Sequence, residues 1–273
     1  MIAQRAEALS HHGKLGNHLP LPAGREASAV ASVIDLSPDD VLCLPGDDLM
    51  PGIVKGASME HAFRVLAVAP KSPSRGESSS HAAAFKPLNI LFASSAEPQI
   101  KAIRDRAQAA KREKKGRVIL AFPACWSESR ARWDETMRIA GSRNLPIVFV
   151  VYGAWTPQEH PGSREAMLNG IPAMVVDAAD AVAIYRVACE AIARARQGRG
   201  PTIIECIALH DAGAPPRVAG RIHIETEQSV PSDPNLTMEE YLRRKGLWSD
   251  VNYRKWVAGI GRELDLATRF LED

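Results

Sequence analysis

The sequence predicts an α/β protein built on a doubly wound, mostly parallel sheet with a C-terminal helical extension. Two apolar runs, RVILAF at 117–122 and PIVFVV at 146–151, and a further strand segment, TIIECI at 202–207, are bounded by Gly or Pro, as strands buried on both faces are. The first two are separated by 128–143, a segment of helical composition, and the third follows another at 181–196. Strand, helix, strand units of this size imply parallel pairs with right-handed crossovers.

The remaining elements follow in order. Residues 3–12 read as a short helix, ended by Gly13 and the turn-rich stretch around Asn17, Pro20, Pro22 and Gly24, and a second helix covers 25–34. Ser37-Pro38-Asp39-Asp40 has turn or N-cap character, Val41 to Leu44 is a short buried strand, and Pro45-Gly46 ends it. Met59 to Leu66 is helical. The stretch PKSPSRGESSSHAAAFKP has no apolar period, and 70–87 is expected to be a flexible loop, because its Ser, Pro and charged residues bury too little to offset ordering. Glu97 to Lys115 is helical in composition, and Tyr152-Gly153 reads as the exit of the 146–151 strand. Met174 to Val176 is a strand, Asp180 caps the following helix, and Gly198 and Gly200 close it. Residues 210–236 form a polar surface loop with room for one short strand near Ile222–Ile224. Thr237 to Glu240 matches a T-x-x-E capping box, opening a helix that Gly246 stops, and Ser249 caps the last helix. There Trp256, Val257, Ile260, Leu264 and Leu271 recur at helical spacing and are expected to bury one face. The whole, 1–273, is expected to be one α/β unit whose extension is 237–273.

Composition narrows the function. With 273 residues and 45% hydrophobic content the chain can bury a sizeable core, and 34 Lys and Arg against 32 Asp and Glu argue against nucleic acid as a partner. Its first residues are charged where a signal peptide needs an apolar core, and no segment approaches the roughly 20 apolar residues of a membrane span. A cytoplasmic protein is expected. Cys43, Cys125, Cys189 and Cys206 form no C-x-x-C pair, and the histidines make no H-E-x-x-H, so no transition-metal site is expected.

Three segments carry a resemblance. NGIPAMVVDAADAVAIYRVACEAIARARQGRGPTIIEC at 169–206, DPNLTMEEYLRRKGLWSD at 233–250 and GKLGNHLPLPAGREASAVASVIDLSPDD at 13–40 are similar, in order and spacing, to the alpha subunits of thiamine-diphosphate-dependent 2-oxo acid dehydrogenases. That family includes the pyruvate, branched-chain and acetoin dehydrogenases. Arg25 stands where the family usually has Gln. The likeness covers most of the chain and implies the thiamine-diphosphate-binding fold. It also implies an obligate assembly, a homo-oligomer or a heterotetramer with a beta-type subunit, which in this family carries the glutamate that activates the cofactor.

The resemblance implies a cofactor site from which this sequence departs. In the family, magnesium bridges the diphosphate to a Gly-Asp-Gly turn after one strand and an Asn-Asn pair at the end of the next, glycine admitting the phosphates and hard oxygens suiting the cation. Register on RVILAF and LPIVFVV places the turn at Ala124-Cys125-Trp126 and the pair at Gly153-Ala154. Thiol, methyl and indole are poor substitutes. The family's Tyr-Arg pair falls at Pro45-Gly46-Asp47-Asp48, and its glycine-rich helix entry at 89–100 has Phe92, Ser94 and Glu97.

On these grounds the chain is expected to hold neither thiamine diphosphate nor magnesium and to act as a non-catalytic or partner-dependent homologue. Two other readings stay open: an active subunit completed by a beta-type partner, and a small-molecule binder using the carboxyl ends of the strands, as open α/β sheets do. Among single residues, Cys125 reads as a small buried hydrophobe with a nucleophile as the alternative, Trp126, Trp133 and Trp155 as space-filling or subunit contacts rather than a new ligand site, and Asp47-Asp48 as a solvated turn with a carboxylate pair as the alternative. His18 and His210 fall near the family's active-site mouth, with plain surface histidines as the alternative.

Overall fold

The computed structural model describes residues 1–15, 24–45, 48–67, 85–93, 95–124, 129–154, 170–208 and 233–271. Six strands, β1 (Val41–Pro45), β2 (Ile90–Ala93), β3 (Ile119–Ala121), β4 (Ile147–Ala154), β5 (Ala173–Asp177) and β6 (Thr202–Ala208), pair in parallel in the order β2-β1-β3-β4-β6-β5. Alternate residues of each strand face opposite sides. Leu42, Leu44, Leu120, Phe122, Val148, Val150, Ile204 and Cys206 pack on one face with helices α2 (Glu26–Ala31) and α7 (Ala181–Arg196). Val41, Cys43, Ile119, Ala121, Ile147, Phe149 and Ile203 pack on the other with α5 (Ala96–Glu113) and α6 (Arg130–Ser142). Helices on both faces of a parallel sheet make the expected doubly wound architecture.

Local chemistry sets the element ends where the sequence indicated. The Asp180 carboxylate accepts from Val182 N–H at 3.0 Å and Ala183 N–H at 2.9 Å, capping α7. At the other end Gly200 has φ +91, and a Cβ there would stand 3.0 Å from Asn144 Oδ1, so glycine is required at this turn.

Four expectations need correction. Residues 90–93, read as the approach to a helix, form β2, because β1 would otherwise present an unpaired edge; Leu42 pairs with Ile90 and Leu44 with Phe92. Residues 85–87 are not loop: Phe85 is buried against Phe92, with ring centroids 4.8 Å apart, and Lys86–Leu88 forms a 3-10 turn. Residues 70–84 of the expected loop, and the strand expected near 222–224, lie outside the described residues. The helix α8 (Pro234–Arg244) starts before Thr237: Asp233 caps it, accepting from Asn235 N–H at 2.8 Å, with Pro234 fitting its first turn.

The fourth correction concerns the extension. Ser249 does cap α9 (Asp250–Thr268), and Leu264 is buried against α4 (Met59–Ala67) and α1 (Ile2–His11) with Ile260 and Leu271 beside it. Trp256, however, is 60% exposed, and every residue from 250 to 256 is exposed. The start of α9 projects past the body it packs on. No helix among the described residues is long and apolar enough to cross a membrane. The helix α3 (Met50–Val54), which joins β1 to α4, carried no distinct sequence signal.

Candidate functional site

The carboxyl ends of β1, β3, β4 and β6 form one edge, where open parallel sheets expose backbone and loops to ligands. The turn leaving β3 is fixed from two helices. The buried Gln99 of α5 donates from Nε2 to Phe122 O at 2.8 Å and accepts from Ala124 N–H at 2.7 Å through Oε1. Trp133 of α6, fully buried, donates from Nε1 to Ala124 O at 3.1 Å and sets its indole edge-on to Phe149. Three backbone groups of a buried turn are thereby satisfied by side chains.

Beside that turn stands Tyr152. It follows Val148 and Val150 on the α2 face, where its ring stacks on Phe122 with centroids 5.9 Å apart. The guanidinium of Arg25, the residue preceding α2, lies over the ring at 4.5 Å. Ser28, in the first turn of α2, donates to Arg25 O at 3.0 Å and holds the start of that helix in place. The Tyr152 hydroxyl is buried, and among the described residues it makes no hydrogen bond of proper geometry, although Ser28 lies near enough to favour its ionised form slightly. Burial first, and the nearby Asp48 charge second, push the phenol well above its usual range, so it stays a neutral donor. Asp48 is itself 5% exposed and engaged by another residue. The Cys206 thiol, on the same face of β6, is raised to about 12 by burial.

The sequence-predicted positions fall around this group unevenly. Ala124 is buried, with its N–H and C=O both engaged and a methyl that offers no ligand. Gly153 and Ala154 are the last two residues of β4, paired with Ile207 and Ala208. Cys125, Trp126, Trp155, Gly46, Asp47, His18 and His210 lie outside the described residues. The solvated-turn reading fails for Asp48, which is buried and close enough to Tyr152 for its charge to be felt there. Trp133 fills space as read, and in addition holds the turn. No group of three or more His, Cys, Asp or Glu among the described residues is placed to hold a metal.

Sequence reasoning did not single out Gln99 or Tyr152 for this edge. The available signal for Gln99 was its place in the buried stripe of α5 with Ala96, Ile100, Ile103 and Ala107, where an amide needs backbone partners. For Tyr152 it was strand parity, which puts it on the buried face shared with Val148 and Val150.

Comparison with known proteins places the chain. The family described as dehydrogenase E1 component matches residues 1–272. The chain is 28% identical to the pyruvate dehydrogenase E1 component subunit alpha of Staphylococcus epidermidis over 98% of its own length and 74% of that protein, and equally to the Bacillus subtilis protein of the same name. Its fold is similar to that of a transketolase from Campylobacter jejuni, with a TM-score of 0.51 and 13% identity, over 76% of this chain and 36% of that one.

These matches correct the expectation that no cofactor is used: family and fold point to thiamine diphosphate. The expectation rested on residues at the two strand ends, at 45–48 and at 89–100, and could not register that the fold brings Arg25 and Asp48 near Tyr152. The residues present fit the anionic part of such a cofactor, because a buried hydroxyl without a partner and a guanidinium with no carboxylate partner among the described residues await an oxyanion. Magnesium does not take side-chain oxygens from Ala124 or Ala154, which have none. With matching residues running from 1 to 272, the chain belongs to the dehydrogenase E1 component family as an alpha-type subunit with the thiamine diphosphate fold.

Proposed function

We propose that this chain is the alpha-type half of a cytoplasmic, thiamine-diphosphate-dependent 2-oxo acid dehydrogenase and works only when assembled with a beta-type subunit. The observation that carries the reading is the extension. Leu247, Val251, Tyr253 and Trp256 stand 71, 55, 46 and 60% exposed at the turn before α9 and along its first two turns, a concentration of apolar surface suited to a subunit contact. The Trp248 indole stacks near Tyr253 and lies under the Arg243 guanidinium, giving that surface a fixed aromatic shape.

Within the assembly, thiamine diphosphate supplies a nucleophilic carbon and an electron sink for decarboxylation. This chain contributes position. Gln99 and Trp133 hold the turn after β3, Phe122 and Tyr152 wall the edge with apolar faces that exclude water, and Arg25 brings positive charge to it.

Co-expression with a beta-type subunit tests the proposal. The two chains are expected to sediment as a heterotetramer, to bind thiamine diphosphate with magnesium at micromolar concentration, and to reduce a dye with a 2-oxo acid. Chains that remain separate at micromolar concentration, or a complex that binds no thiamine diphosphate, would sink it.

A further inference from the structure

Tyr152 is unusual in what its hydroxyl lacks. A buried polar group without a hydrogen bond is costly, so folded proteins rarely leave one unless something else binds there. Ser28, the nearest hydroxyl, directs its own hydrogen to Arg25 O. Arg25 is exposed, its guanidinium rests on the Tyr152 ring, and no carboxylate among the described residues pairs with it. A planar cation whose N–H groups have no partner among the described residues therefore lies over the ring that carries a neutral O–H donor.

We propose that Arg25 and Tyr152 form an oxyanion-binding pair at the carboxyl edge of the sheet, taking a diphosphate or a carboxylate. The guanidinium supplies charge and two N–H groups in the fork that matches such oxygens, and the hydroxyl supplies a third donor. Burial keeps the proton on Tyr152, and the nearby Asp48, itself engaged by another residue, adds to that. The inference rests on the proposed function for the identity of the anion, though not for its chemistry.

The test uses the full chain, alone and with a beta-type partner, in wild-type, Arg25→Gln and Tyr152→Phe forms. Calorimetric titration with inorganic pyrophosphate without magnesium, and separately with pyruvate, reads the two anion sources. R25Q is expected to weaken one of them at least tenfold and Y152F several-fold, with the thermal midpoint of Y152F unchanged or raised, because the deleted hydroxyl had no partner. Loss with pyrophosphate identifies the diphosphate, and loss with pyruvate the carboxylate. Wild-type chain that binds neither probe, variants that bind both as tightly as wild type, or a lowered midpoint for Y152F would overturn the pair. If the chain binds pyrophosphate through Arg25 while the complex neither binds thiamine diphosphate nor turns over a 2-oxo acid, the pair stands and the proposed function falls.

Discussion

Arg196 closes on Asp40 at the amino end of the sheet, its Nη2 2.8 Å from Oδ2 and its Nη1 3.3 Å from Oδ1. Asp40 has no solvent exposure and also accepts from Ser37 N–H and Val118 N–H, each at 2.8 Å. One carboxylate thus ties the turn before β1, the start of β3 and the end of α7. Asp40→Ala strands three donors and is expected to cost about 3–5 kcal/mol of unfolding free energy. Arg196→Ala should cost less, since its side chain is 35% exposed and the two N–H groups still hold Asp40. Urea unfolding checks both, and an Asp40→Ala loss below about 0.5 kcal/mol, the scatter of a neutral surface change, would refute the role.

Gln99→Leu keeps the volume of the side chain but leaves Phe122 O and Ala124 N–H without partners. A loss of about 2–5 kcal/mol is expected from two stranded backbone groups. Trp133→Phe removes one donor and part of a filled core, and should cost about 1–3 kcal/mol. Denaturation curves read the cost. Hydrogen exchange should show faster exchange of the Ala124 amide in Gln99→Leu, and an unchanged rate would mean the amide is held by another group.

Trp256→Ala should leave the isolated chain within about 0.5 kcal/mol of wild type, because the indole is 60% exposed. Its effect belongs to assembly. Sedimentation with the beta-type partner is expected to show dissociation at concentrations where wild type stays associated. Equal association of the two proteins would move the contact elsewhere.

Stability should fall at alkaline pH through the thiols of Cys43 and Cys206. Burial raises each from an ordinary 9.0 to about 12, so between pH 9 and 12 the folded state holds protons that the unfolded state has released. Their contribution is complete below pH 9 and is lost as pH rises toward 12. Lys and Tyr titrate in the same window, so the comparison is with a Cys43→Ala, Cys206→Ala variant, whose stability should decline less steeply from pH 8 to 10.5 under reducing conditions. Parallel curves would show that the thiols do not contribute.

Apolar runs between Gly and Pro decided β3 and β4 from the sequence alone, because strands buried on both faces read as near-continuous apolar runs and their flanks must turn, and β6 was legible despite its buried Thr202 and Glu205. Asp180 and Ser249 fixed the starts of α7 and α9, and Gly200 the turn after α7, by local chemistry, a side-chain oxygen for free N–H groups or a residue without Cβ at positive φ. The family was legible too, since ordered motifs survive at 28% identity. Only the tertiary structure decided what lies beside what. Arg25 meets Tyr152, Gln99 meets Ala124 and Asp40 meets Arg196 across 127, 25 and 156 positions, and no local propensity encodes such contacts. The fold likewise decided that Asp48 is buried and Trp256 exposed, because burial depends on where an element ends relative to its neighbours, which periodicity within one helix or turn does not contain.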